Sequence, residues 1–136
     1  MDSEAFSDPN SVPEPNIKQA QLADKIDLDM IHFDFDKSDI KPEYKTVLDE
    51  HVKWMKAQTE YNILIEGHTD NRGSINYNLG LGQERATKVR SYLAYFGVSP
   101  TRIATISYGG EKPILNNSDE ESWAKNRRVE FHVYKR

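Results

Sequence analysis

The chain contains no cysteine. Disulfides, thiolate metal sites and cysteine nucleophiles are therefore excluded, although the absence fixes no compartment. No apolar run approaches the roughly 20 residues that a membrane-spanning helix requires, and no signal peptide is visible. Apolar residues make up only 37% of the 136 positions. That is modest, but enough for one core in a chain of about one domain's length. Excess positive charge is also lacking. The formal net charge is −4, which argues against a nucleic-acid binder.

The charge is uneven. Residues 1–30 carry seven acids, Asp2, Glu4, Asp8, Glu14, Asp24, Asp27 and Asp29, against Lys18 and Lys25. This net of −5 leaves +1 for the rest of a chain whose total is −4. Residues 1–16 set Pro9, Pro13 and Pro15 among Ser, Asn and acids, a composition too polar to order itself. Residues 17–30 read either as linker or as a poorly fixed lead-in. The expected organisation is a flexible acidic tether over residues 1–28 and one domain over 29–136.

From Ile31 the pattern sharpens. Ile31, Phe33 and Phe35 alternate with His32, Asp34 and Asp36, a strand signature that places Phe35 with the buried set. Pro42 fits a first helical position, and Tyr44, Val47, Leu48, Val52 and Met55 form one apolar stripe of a helix over 43–58. Tyr61 to Ile65 is a second strand. Ser74 caps a long helix over 75–96, which Gly97 stops. Arg102 to Tyr108 is a third strand, Asp119 to Lys125 a short helix with acids in its first turn, and Arg128 to Tyr134 a final alternating strand. Strand–helix–strand crossovers favour parallel pairing, while the last strand is free to pair antiparallel. The expected fold class is α/β, arranged as an α+β sandwich: one mixed four-stranded sheet with helices on one face.

Spacing alone points to one site. Leu79, Gly82, Ala86, Val89, Leu93 and Phe96 share the sheet-facing stripe of the long helix, and Gly82 there permits close approach to the sheet. Asn78, Leu81 and Arg85 form a second stripe, turned partly out of the core. Asp70 lies just past the carboxyl end of the second strand, and Asp34 and Asp36 at the end of the first. Parallel strands would put these acids on one rim, where open α/β sheets commonly take ligands. The helix start near Ser74–Asn76 offers free N–H groups to an anion, and an arginine can hold a carboxylate bidentately. Asp70 and Arg85 together suit a ligand bearing both an ammonium and a carboxylate.

These residues also carry a resemblance. Thr69-Asp70, Gly73, Asn78, Leu81, Arg85-Ala86 and Val89 resemble the peptidoglycan-binding signature of the OmpA-like C-terminal domain family. Phe33-Asp34-Phe35-Asp36-Lys37 and Asn126-Arg127-Arg128-Val129-Glu130 match it as well, so that residues 29–136 are covered in register. The resemblance implies a βαβαβ(α)β fold and a ligand, the meso-diaminopimelate stem peptide of Gram-negative peptidoglycan. It implies that Asp70 and Arg85 clasp the ligand's ammonium and carboxylate, with Phe35, Asp36, Asn78 and Leu81 lining the same cleft. It further implies no enzymatic activity and no cofactor. The implied partners are the cell wall, a β-propeller protein of the Tol system and, through a lipidated N-terminal cysteine, the outer membrane on its periplasmic side. This chain lacks that cysteine, so a processed or shortened form is expected, and the expected state is a monomer. Another wall-anchoring member of the family, such as a porin or flagellar-stator domain, remains the alternative.

Each candidate also has a plainer reading. Asp70 and Arg85 could be a solvated ion pair. His68 and Asp70, with His32, His51 and His132 in reserve, make no complete metal set, and His68 reads as a strand-end residue shaping the cleft. Asp34 and Asp36 could pass for paired glycosidase carboxylates, but only a binding role is assigned, to Asp36. A cell-wall peptide hydrolase would need a nucleophile or a metal with a base, and no such arrangement is recognisable. Arg127 and Arg128 could bind phosphate, or pair locally among Glu120, Glu121 and Glu130. Trp54 and Trp123 read as packing residues.

Overall fold

Period-two alternation puts Ile63 and Ile65, Ile103, and Val129, Phe131 and Val133 on one sheet face. All of them are buried in a single cluster. The computed structural model describes residues 8–136; residues 1–7 of the expected tether lie outside the described residues. The strands are β1 (Ile26–His32), β2 (Tyr61–His68), β3 (Ile103–Gly109) and β4 (Arg128–Lys135), in the order β1-β4-β2-β3. β4 pairs antiparallel with β1 and with β2, and β2 pairs parallel with β3. β1 and β2 therefore run the same way on either side of β4. Their carboxyl ends share one rim, and the acids that follow them share it too.

The helices are α1 (Gln19–Leu22), α2 (Lys45–Ala57), α3 (Ile75–Tyr95) and α4 (Glu120–Asn126). α2 and α3 cover one sheet face. Leu48, Val52 and Met55 of α2 and Ala86, Val89 and Leu93 of α3 meet the strands in the main core. On the opposite face Leu64, Ala104 and Tyr134 form a smaller cluster, partly covered by Ile17 and by Leu22 of α1. Buried Arg102 donates to the carbonyls of Met55 and Gln58 at the end of α2, where a helix leaves carbonyls free, and to that of Tyr61 at the start of β2.

Three details differ from the sequence reading. The first strand lies earlier than its alternation indicated. A bulge between Leu28 and Ile31 shifts its register against β4, and it ends at His32, opposite Arg128 where β4 begins, so that the expected boundary at 29 falls within β1. Phe33 is buried past the strand, its N–H bonded to the Arg127 carbonyl at 2.9 Å. Phe35, expected in the core, is 55% exposed because the chain has already entered a turn, in which Asp36 adopts φ 58°. Leu79 and Phe96 are also exposed. Leu79 lies in the first turns of α3, near the rim, and Phe96 caps its far end.

The N-terminal segment lies against the domain. Arg90, fully buried, donates to the carbonyls of Pro9 and Val12 as well as to those of Pro100 and Ile103. Glu14 accepts from the backbone N–H and the hydroxyl of Thr105.

Candidate functional site

A cleft of about 210 Å³ opens at the shared rim. Phe35, Asp36, Asp70, Asn78, Leu81 and Arg85 all line it, joined by Thr69, Arg72, Gly73 and Tyr77. The structure thus gathers all six candidates, which come from the β1–α2 loop, the end of β2 and the first three turns of α3. Asp34 is not among the lining residues. Its carboxylate pairs with Lys41 at 3.1 Å, so it forms no pair with Asp36.

Local chemistry explains the loop that carries Asp70. Gly73 takes φ 95°, where a side chain would be strained. Ser74 accepts from the Tyr77 N–H and caps α3. The Asn78 amide reaches back to the Arg72 carbonyl at 3.0 Å. The buried Asn78 therefore fastens the loop to the helix while lining the cleft.

Arg85 is the central cation. Sequence periodicity placed it partly outside the core, but it is 0% exposed. Its Nε donates to the Lys37 carbonyl at 2.7 Å, Nη1 to His68 at 2.8 Å and Nη2 to Asp34 at 3.1 Å. Three of about five N–H groups are thereby used, all on backbone carbonyls. Among the described residues no carboxylate forms an ion pair with it. Burial lowers its pKa to about 10, only partly countered by the charge of Asp70. It remains a cation at neutral pH. A buried cation held by carbonyl dipoles alone leaves room for an external anion.

Asp70 is 4% exposed rather than a free rim residue. Arg72 holds it through its backbone N–H, Nε and Nη2, the last at 2.9 Å, and Arg127 Nη1 stands 3.7 Å away. Desolvation alone would raise its pKa, but the hydrogen bonds from Arg72 outweigh that and lower it. Asp36 accepts from the Tyr77 hydroxyl.

Sequence reasoning missed Arg72. Its guanidinium lies 4.1 Å from the Phe35 ring and 3.9 Å from the Trp123 ring. A cation between two aromatic faces accounts for an exposed phenylalanine. The available signal was an arginine two residues after the acid. His68 contributes to the cleft only through its carbonyl, because its ring turns to the other sheet face and stacks on Tyr108 at 5.6 Å. It does not shape the cleft wall and does not meet the Asp70 carboxylate. Arg127 and Arg128 are buried and pair locally, with Glu120 and Glu130.

Comparison with known proteins agrees with this architecture. The OmpA family's sequence model matches residues 32–127. The peptidoglycan-associated lipoprotein of Pseudomonas aeruginosa is 47% identical over 100 residues, covering 74% of this chain and 59% of that protein. The chain spans about three fifths of the length of such curated relatives. The crystal structure of the peptidoglycan-associated lipoprotein from Burkholderia pseudomallei is 40% identical, with a TM-score of 0.75, over 76% of this chain and 88% of that one. The cell wall anchor of the T6SS from Pseudomonas aeruginosa is 25% identical, with a TM-score of 0.67, over 79% of this chain and 80% of that one. Sequence match and shared fold together place this chain in the OmpA family.

Proposed function

We propose that this domain binds the peptidoglycan stem peptide without covalent chemistry and anchors the outer membrane to the cell wall. The observation that carries the reading is Arg85, a fully buried cation with no carboxylate partner among the described residues, facing a cleft that Asp70 also lines. The far end of meso-diaminopimelate bears an ammonium and a carboxylate on one carbon. Its carboxylate would take the unused N–H groups of Arg85, and its ammonium would approach Asp70. The names of the relatives, peptidoglycan-associated lipoprotein and cell wall anchor, point the same way.

Each charge-assisted hydrogen bond contributes about 1.5–3 kcal/mol net. A few of these, set against the cost of association, give roughly micromolar affinity. That is sufficient where a membrane anchor and a polymeric wall keep the effective concentration high. No activated nucleophile is apparent in the cleft. Its two carboxylates, Asp36 and Asp70, are engaged by Tyr77 and by Arg72. The reading places a monomeric domain on the periplasmic side of the outer membrane, held there by a lipid anchor in the complete protein and shared with a β-propeller partner of the Tol system.

The test is calorimetric titration with a purified muropeptide ending in meso-diaminopimelate, followed by mass spectrometry of the mixture. Saturable one-to-one binding and an unchanged muropeptide mass are expected. No heat from the folded chain would contradict binding, and a shortened stem peptide would contradict a non-catalytic role.

A further inference from the structure

The stripe of α3 that lines the cleft does not end there. Asn78, Leu81 and Arg85 are continued, at steps of three and four, by Lys88, Tyr92 and Tyr95. The β1–α2 loop runs beside this stripe. Arg85 Nε donates to the Lys37 carbonyl at 2.7 Å, and Lys88 Nζ reaches the Asp39 carboxylate at 3.4 Å. Beyond that pair, Tyr92, Tyr95 and Phe96 form a second hollow with Ile40 of the loop, of about 510 Å³.

Three rings meet in this hollow and leave apolar surface open to solvent. Tyr95 is 82% exposed and Phe96 45%. Their centroids lie 5.0 Å apart, edge to face, and Phe96 lies 4.7 Å from Tyr92. Tyr92 is fixed in turn, its hydroxyl donating to Asp49 at 2.7 Å. The platform is therefore pre-organised, which lowers the cost of binding. Asp39 and Lys88 stand at its rim and pair with each other, so the hollow carries no net charge and suits a neutral ligand. Single exposed apolar side chains are ordinary on a protein surface. A contiguous aromatic set with a polar rim is what a binding surface presents.

We propose that this hollow takes a neutral N-acetylated sugar of the wall's glycan strand, as a second point of attachment. The proposal rests on the stem-peptide reading of the cleft. One face of a pyranose presents C–H groups, which suit the negative faces of aromatic rings. Its edge presents hydroxyl and acetamido groups, which need both donors and acceptors, here Lys88 and Asp39. The spacing fits as well. Diaminopimelate is the third residue of the stem peptide, so about three peptide units, or roughly 10 Å of extended chain, separate it from the sugar. Arg85 and Tyr92 stand two turns apart on α3, also about 10 Å. A muropeptide held in the cleft by its diaminopimelate lays its sugar on the rings when its chain follows the α3 stripe. The second contact is then intramolecular and adds to the first.

The test is calorimetry of wild type, Tyr95→Ala and Tyr95→Trp with two ligands: the free stem peptide, and the same peptide carrying its N-acetylglucosaminyl–N-acetylmuramyl disaccharide. Amide NMR of the wild type with the disaccharide alone accompanies it. The sugar-bearing ligand is expected to bind wild type about fivefold more tightly than the bare peptide. Tyr95→Ala should abolish this gain and leave affinity for the bare peptide unchanged, while Tyr95→Trp, which keeps an aromatic face, retains the gain. The disaccharide alone should shift amides of residues 88–96 and not those around Asp70. Equal affinity of wild type for the two ligands, or a gain that survives Tyr95→Ala, would overturn the sugar site and leave the stem-peptide reading standing. Failure of both ligands to bind would contradict the stem-peptide reading instead. The disaccharide spectrum then decides the hollow alone, and unshifted amides over 88–96 overturn the proposal. Dimerisation of wild type that is lost in Tyr95→Ala would also overturn it, because the rings would then serve a second copy of the chain.

Discussion

Gly67 of β2 and Gly82 of α3 touch backbone to backbone, so closely that a Cβ on Gly67 would lie 1.8 Å from the Gly82 carbonyl oxygen. This contact sets how deep α3 sits on the sheet. Arg85, one turn further on, reaches the β1–α2 loop and the end of β2 from that depth. Gly67→Ala should therefore destabilise the fold by about 1–3 kcal/mol, because backbone rather than a flexible side chain must give way. Denaturant unfolding measures this, and an unchanged midpoint would mean that the helix shifts freely.

Asp70 neutralises Arg72 and Arg127 where they crowd the cleft. Asp70→Asn keeps the shape and removes the charge. It should cost about 1–3 kcal/mol of stability, since hydrogen bonds to a charged group are lost, and it should weaken muropeptide binding in the molecules that remain folded. Paired unfolding and calorimetry separate the two effects. Binding at wild-type strength would remove Asp70 from the ligand's contacts.

Glu66 and Glu130, paired with His68 and His132 on the sheet face away from α2 and α3, should shape the pH dependence of stability. Hydrogen bonds from His132 and Arg128, working against burial, hold Glu130 at about 2, below its ordinary 4.5. A lowered carboxyl contributes stability that is complete above its unfolded value and is lost as pH falls toward about 2. His132 is raised from 6.5 to about 10, so its contribution is complete below 6.5 and is lost as pH rises through about 10. Unfolding midpoints should peak between these limits, fall on both sides, and lose most of the alkaline fall in His132→Gln.

The N-terminal segment should be tied down where Glu14 meets Thr105. Glu14 accepts at 2.5 Å from the Thr105 N–H, which lies in the edge strand β3. Glu14→Ala should speed hydrogen exchange at Thr105 with little change at Ile103, whose cluster is the main core. Equal exchange in both proteins would show that the segment does not hold the edge.

Much of this fold is legible in the sequence. β2, α3, β3 and β4 follow from alternation, the Ser74 cap and the Gly97 stop; the position of Asp70 follows from the end of the second strand, and that of Arg85 from the second stripe of the long helix. The resemblance, rather than spacing, drew Phe35, Asp36, Asn78 and Leu81 to the same cleft. What spacing hides is depth and pairing across strands. Periodicity could not show that Arg85 is sealed beneath three carbonyls, because those belong to Lys37, His68 and Asp34, distant in the chain. The bulge within β1 is likewise invisible in its alternation. The pairing of His132 with Glu66 and Glu130 exists only through the β2–β4 register, which no linear motif encodes.

The most direct test of the central claim compares two muropeptides by calorimetry, one ending in meso-diaminopimelate and one with lysine in its place. Lysine keeps the ammonium for Asp70 and deletes the carboxylate that faces Arg85. Losing one charge-assisted contact of about 1.5–3 kcal/mol should weaken binding roughly 10- to 100-fold. Equal affinity for the two would contradict the account, since the buried cation would then be reading nothing.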